Sequence, residues 1–315
     1  MKAVYINDYG TAEQLTVGEL NTPEITGSQV LINVIAAGVN PVDFHVRNGM
    51  LKDSDTHTLP LIVGWDAAGI VAEIGVDVTN INVGDEVFVF SPINQQGTYA
   101  EYLAVDANLV TAKPSSLNFV ESAAVPLAAL TAWQGLFRDG NLKAGERVLI
   151  HNASGGVGSF AVQFAKHAGA HVIATASGQK EQYVNALGAD EFVDYTESPF
   201  EDNIHDIDLV FAAVGGNDIL PRSLKTLNKG GRLISTFDEI PHQQAEDAGA
   251  TFIRMWVEPS AEDLAGIGEL IDQNKIHVFL DSVYPLEHAK HAQERSESGK
   301  AVGKIVLNIN PAVIG

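Results

Sequence analysis

The chain of 315 residues contains no cysteine. That excludes disulfides, thiol nucleophiles and every cysteine-ligated metal site. Positive charge is also scarce, with 19 Lys plus Arg against 40 Asp plus Glu and a formal net charge of -21. A surface of that sign repels nucleic acid phosphate and anionic lipid, so neither is an expected partner. Long apolar runs are missing too. No stretch reaches the roughly 18 unbroken apolar residues of a membrane span. The opening MKAVYINDYG carries too short an apolar run for a signal peptide. A soluble cytoplasmic protein is expected. Neither internal repeats nor low-complexity tracts appear.

What remains is ordinary globular material, 45% apolar and 19% charged, long enough for two domains with a sizeable core. Residues 1–122 read as short strands punctuated by glycine: Lys2–Ile6, Val30–Val34, Gly69–Ile74, Glu86–Phe90 and Thr98–Val105. That spacing points to a compact antiparallel barrel. Phe119–Leu136 is alanine-rich with helical spacing, interrupted by Pro126, and reads as a hinge helix. Strands then follow at Arg147–His151, His171–Ala176, Glu191–Val193, Ile207–Ala212, Arg232–Ser235 and Thr251–Met255, with helices between the early ones. This alternation predicts a parallel, doubly wound Rossmann sheet. A helix is expected over Glu262–Asn274 and a strand over His277–Leu280.

The most informative stretch is GERVLIHNASGGVGSFAVQFAKHAGAHVIATASGQK, Gly145–Lys180. A buried strand runs into a turn of small residues. From Val157 the apolar positions take helical spacing through Phe160, Ala161, Phe164, Ala165 and Ala168, and a second strand follows. Pyrophosphate binds the free N–H groups at such a helix start, provided the backbone can come close. In the G-x-G-x-x-G frame the three positions are Ala153, Gly155 and Gly158; Gly156 and Val157 complete the turn. Ala153 departs from the strict fingerprint. The flanking strands and helix stand where a dinucleotide site needs them.

The pattern G-E-x-x-L-x-x-x-A-S-G-G-V-G-x-x-x-x-Q-x-x-K over Gly145–Lys166 resembles the signature of zinc-independent quinone oxidoreductases of the medium-chain dehydrogenase/reductase superfamily. AEIGVDVTNINVGDEVFVF (Ala72–Phe90) and GTYAEYLAVD (Gly97–Asp106) are similar to that superfamily's GroES-like catalytic domain, and GKAVGKIVLNI (Gly299–Ile309) to its closing motif. The resemblance implies a discontinuous GroES-like β-barrel domain over residues 1–122 and 262–315, with a Rossmann NADP-binding domain over 123–261. A homodimer is also implied. The apolar run Thr251–Val257 is either the exposed edge that pairs with a second chain or a strand buried within one chain.

NAD-specific folds place Asp or Glu at the end of the second strand to hold the ribose 2′-hydroxyl. Here that strand ends without a carboxylate before Glu181, and it offers Ser177 and Lys180, suited to a 2′-phosphate. The resemblance adds Tyr195, in VDYTE, as a further phosphate contact, so NADPH is the expected cofactor. It also places Thr131 near the nicotinamide ribose, with helix packing as the other reading. Val214, Thr236 and Phe237 follow the fourth and fifth strands, and residues at such carboxyl ends line the ligand crevice.

Zinc-dependent members hold their metal through Cys, His and Cys. Asn40 matches the first Cys, and Gly64-Trp65-Asp66 matches their Gly-His-Glu, so Trp65 replaces the ligand His. Those side chains do not supply the donors a catalytic zinc needs. His288 and His291 read as surface residues. Quinones and α,β-unsaturated carbonyls accept hydride without a Lewis acid. The resemblance puts Asn40 and His45 where the zinc-free family keeps polar residues facing nicotinamide and substrate, and implies that Asn40 would donate to the developing oxyanion. His45, matched to a Tyr in the family, would donate a hydrogen bond or proton, or serve only the structure. Asp43 is expected to orient its neighbours. The expectation is an NADPH-dependent reductase of quinones or activated alkenes. The alternatives are a 2-alkenal or enoyl-thioester double-bond reductase and a non-catalytic NADPH-binding redox sensor.

Overall fold

The β-branched, glycine-punctuated start of the chain folds as antiparallel sheet, and the alternating middle as parallel sheet. The computed structural model describes residues 1–54 and 56–310; residues 311–315, the end of the expected last segment, lie outside it. Two compact units result. One comprises Met1–Leu130, Glu258–Asn274 and the chain from Val278; the other comprises Thr131–Val257 and Lys275–His277.

The first unit opens with β1 (Lys2–Ile6), β2 (Thr16–Glu19), β3 (Gln29–Val39), α1 (Pro41–Arg47) and β4 (Leu61–Ile62). It continues with β5 (Asp66–Ile74), β6 (Glu86–Phe90), β7 (Tyr102–Asp106), β8 (Thr111–Ala112) and α2 (Phe119–Ala123). The chain leaves this unit within α3 (Pro126–Trp133).

The second unit holds β9 (Arg147–His151), α4 (Gly156–His167), β10 (His171–Ala176), α5 (Glu181–Ala186), β11 (Glu191–Asp194) and β12 (Ile207–Ala212). It closes with α6 (Ile219–Leu224), β13 (Leu227–Ser235), α7 (His242–Asp247) and β14 (Thr251–Arg254). The first unit is then completed by α8 (Ala261–Asp272), β15 (Leu280–Pro285), α9 (Ala289–Glu297) and β16 (Lys304–Asn308).

In the first unit β2-β1-β4 form a three-stranded sheet. A seven-stranded sheet runs β15-β16-β3-β5-β6-β8, with β7 also on β3. Only the β15–β16 pair is parallel there. Inward residues Val30, Ile32, Val34, Val71, Val87, Val89, Leu103 and Val105 form its core. In the second unit six parallel strands run β11-β10-β9-β12-β13-β14, the strand order of a dinucleotide-binding sheet. Leu149, Ile173, Val210 and Leu233 are wholly buried under Phe200 and Phe252. Full burial of such a side chain is worth about 1.5–3 kcal/mol.

Several expected elements change. The hinge helix splits into α2 and α3, followed by a π-helical turn over Gln134–Asp139. Pro126 cannot donate to a preceding turn, so it opens a helix instead of continuing one. The expected strand at His277–Leu280 begins only at Leu280. Gln163 takes both backbone groups of His277, accepting from its N–H at 2.8 Å and donating to its carbonyl at 3.1 Å. Thr98–Val105 shortens to β7, because the N–H groups of Gly97, Thr98 and Tyr99 turn to the carbonyls of Ile62, Gly64 and Val63.

Candidate functional site

The nucleotide turn lies in the second unit, where β9 meets α4. A tight reversal needs a left-handed residue, and Asn152 supplies it with φ 54°. Ala153 therefore carries no strain. It is fully buried and its N–H reaches the Thr175 carbonyl at 3.1 Å. Gly155 caps α4 in extended conformation. A Cβ on Gly155 would come to 2.7 Å from Asn152 Nδ2, and one on Gly158 would strike the Asn152 carbonyl and stand 2.7 Å from the Ala153 Cα. The third glycine is thus required for helix-on-strand packing, and the second keeps the turn open. Gly156 and Val157 form the first turn of the twelve-residue α4, whose unpaired N–H groups attract an anion. The turn fits a dinucleotide pyrophosphate.

Ser177 and Lys180 follow β10, and Tyr195, 53% exposed, follows β11. Parallel pairing sets Ala176 opposite Asp194, so the three residues follow the carboxyl ends of two adjacent strands. Asp194, not anticipated from the sequence, joins the two strand ends. It accepts from the Thr196 hydroxyl at 2.7 Å and the Thr196 N–H at 2.8 Å. These bonds, and one from the Gly178 N–H, hold its carboxyl below the usual range. A Cβ on Gly178 would collide with Asp194. Val214 and Thr236 are half-buried and Phe237 is 48% exposed, beyond β12 and β13. Thr236 Oγ1 donates to the Ala212 carbonyl at 3.3 Å. Thr131 is buried in α3.

His151, at the end of β9, was also missed. Its Nδ1 lies 3.0 Å from Thr175 Oγ1 and its Nε2 3.0 Å from Ser223 Oγ. Burial, assisted by nearby Arg222, pushes its pKa down to about 3.

In the first unit a buried polar cluster surrounds the start of α1. Asn40 is 2% exposed. Its N–H donates to Asp43 Oδ2 at 2.9 Å, and Asp43 Oδ2 also accepts from Tyr99 OH at 2.7 Å. Asp43 therefore orients its neighbours, and burial raises its pKa to about 7. The Asn40 amide Nδ2 donates to Asp66 Oδ2 at 2.9 Å, while its Oδ1 accepts from Lys304 Nζ. Asp66 Oδ1 accepts from the Leu127 N–H at 2.8 Å. Burial raises the Asp66 pKa to about 6 against the pull of Lys304, and burial lowers that of Lys304.

Trp65 is wholly buried. Arg47, 1% exposed, ties α1 to α9 through Gln293 at 2.6 Å and through Glu297. His45 is half-buried, which lowers its pKa, and its ring packs 4.4 Å from that of Phe44. His288 and His291 lie with ring centroids 5.5 Å apart. Among the described residues no group of three or more His, Cys, Asp or Glu could hold a metal ion. Lys304 and Tyr99 were not anticipated; the only sequence signal for Lys304 is its place in the closing GKIVL.

Fold and site together define a two-unit nucleotide-dependent oxidoreductase, with a parallel dinucleotide sheet and a barrel unit carrying a buried polar cluster. Residues 26–115 match the alcohol dehydrogenase GroES-like domain family, and residues 187–307 the family described as zinc-binding dehydrogenase. The chain is 34% identical to the 2-methylene-furan-3-one reductase of Solanum lycopersicum, over 99% of this chain and 80% of the relative. It is 35% identical to the chloroplastic NADPH-dependent alkenal/one oxidoreductase of Arabidopsis thaliana, over 98% and 79%. The solved quinone oxidoreductase of Coxiella burnetii superposes with TM-score 0.93 at 33% identity, covering 98% of this chain and 99% of that one. The chain belongs to the quinone oxidoreductase family of the medium-chain dehydrogenase/reductase superfamily.

Proposed function

We propose that the protein reduces quinones or activated alkenes by direct hydride transfer from NADPH, without zinc. The observation that carries this reading is the open, glycine-lined turn at the start of α4, followed one strand later by Ser177 and Lys180. Ala153, Gly155, Gly156, Val157 and Gly158 would hold the pyrophosphate. Ser177, Lys180 and Tyr195 would hold the 2′-phosphate, and Thr131, Val214, Thr236 and Phe237 the remainder. Bound NADPH would supply the hydride from its nicotinamide C4. Asn40 would donate an amide hydrogen to the oxygen where negative charge grows. His45, whose pKa partial burial lowers, would donate a ring N–H.

The absence of soft or imidazole donors at Asn40 and Trp65 supports the zinc-free reading. The names of two relatives support alkene reduction and that of a solved neighbour supports quinone reduction; enoyl thioesters are a further class of activated alkene. A quinone and 2-alkenal panel tests the proposal. NADPH consumption with at least one member is expected. Tight NADPH binding with no consumption would leave a non-catalytic sensor.

We also infer a homodimer formed along β14, an edge strand of the six-stranded sheet with Trp256 49% exposed just beyond it. Among the described residues no helix is long and apolar enough to cross a membrane. Cytoplasmic residence remains part of the same reading, and cell fractionation tests it.

A further inference from the structure

The buried ion pair beside Asn40 is poorly explained by stability. Lys304 and Asp66 have side chains 4% and 0% exposed, with Lys304 Nζ 3.7 Å from Asp66 Oδ2. A buried pair of this kind is commonly no more stabilising than two apolar residues of the same volume. Its geometry does accomplish something else. A primary amide is nearly symmetrical in shape, so turning Asn40 by half a revolution would exchange its donor for its acceptor. Here Oδ1 meets an ammonium and Nδ2 meets a carboxylate. The turned amide would set N–H against N–H and oxygen against oxygen, both repulsive.

The cluster is itself held firmly. Lys304 Nζ also donates to the Val39 carbonyl at 3.3 Å, and Asp66 is anchored by the Leu127 N–H. The β16–β3 register, Ile305 opposite Val39, delivers Lys304 to this spot. Asn40 Nδ2 has two hydrogens, and only one is taken by a described residue.

We propose that Lys304 is a positioning residue for the reaction: with Asp66 it locks the Asn40 amide so that the second Nδ2 hydrogen is the donor to the substrate oxygen. The proposal rests on the reading of Asn40 as the oxyanion donor.

The test is a double-mutant cycle of N40A and K304M on the full chain, reading kcat, KM, the NADPH dissociation constant and the melting temperature. N40A should lower kcat about 10²-fold. K304M should lower kcat at least about tenfold, with NADPH affinity unchanged. Because Lys304 acts through Asn40, adding K304M to N40A should cost less than about twofold more.

Wild-type kcat in K304M, or a full multiplicative loss in the double variant, would overturn the proposal while leaving the Asn40 reading intact. Wild-type kcat in N40A would overturn both. If K304M does not fold, the paired K304M/D66L variant replaces both charges with apolar groups. It should fold and show the same loss of kcat; wild-type kcat there would also overturn the proposal.

Discussion

At the scale of single residues, the second unit carries a pH liability in His151. Its folded pKa of about 3 lies below the ordinary 6.5. The unfolded chain therefore binds a proton here between those values while the folded chain does not. This residue's stabilisation is present above pH 6.5 and is lost as pH falls toward 3, at no more than about 1.4 kcal/mol per pH unit. Urea unfolding of wild type and H151Q across this range should show a shallower pH slope for the variant. Equal slopes would contradict the assignment. Lys180 is tested by K180A, which should weaken NADPH binding about tenfold and leave NADH binding nearly unchanged. Isothermal titration with both cofactors reads the ratio, and an equal loss for both would remove Lys180 from the 2′-phosphate site.

At the scale of elements, the strand, turn and helix around the fingerprint were the most legible part. Bulk disappears at Gly155–Gly156, the apolar period changes at Val157, and each change has one steric cause. Prediction for this element is correspondingly sharp. G158A forces a methyl group onto the Asn152 carbonyl and the Ala153 Cα, so α4 must move off its strand. A loss of about 1–3 kcal/mol in stability is expected, with weaker NADPH binding; a variant with wild-type melting temperature and affinity would contradict the packing role. The strand placed at His277–Leu280 failed because a side chain more than a hundred positions away, Gln163, claims the backbone of His277. Pattern along the chain carries no trace of such a bond. Lys304 was hidden for the same reason: its meaning comes from β16 lying beside β3, and within GKIVL it reads as one polar residue in an apolar strand.

At the scale of the whole molecule, fold class was legible because sheet type follows from alternation of elements, which is written along the chain. The candidate site was legible only in part. The phosphate turn is contiguous in sequence. The Asn40 cluster instead gathers residues 40, 43, 66, 99 and 304, and only a fold can collect them. Dimer formation along β14 predicts a solution mass near twice the 33.6 kDa chain, with W256E shifting it toward the single chain. Light scattering that finds one chain at all concentrations would contradict the dimer.

The most direct measurement follows the hydride itself. NADPH carrying deuterium in the transferable C4 position, turned over with a 2-alkenal in ordinary water and in the presence of a metal chelator, should yield a saturated aldehyde with one deuterium on the β-carbon. Turnover that places no deuterium on carbon, or that stops with the chelator and returns with zinc, would contradict direct, metal-free hydride transfer.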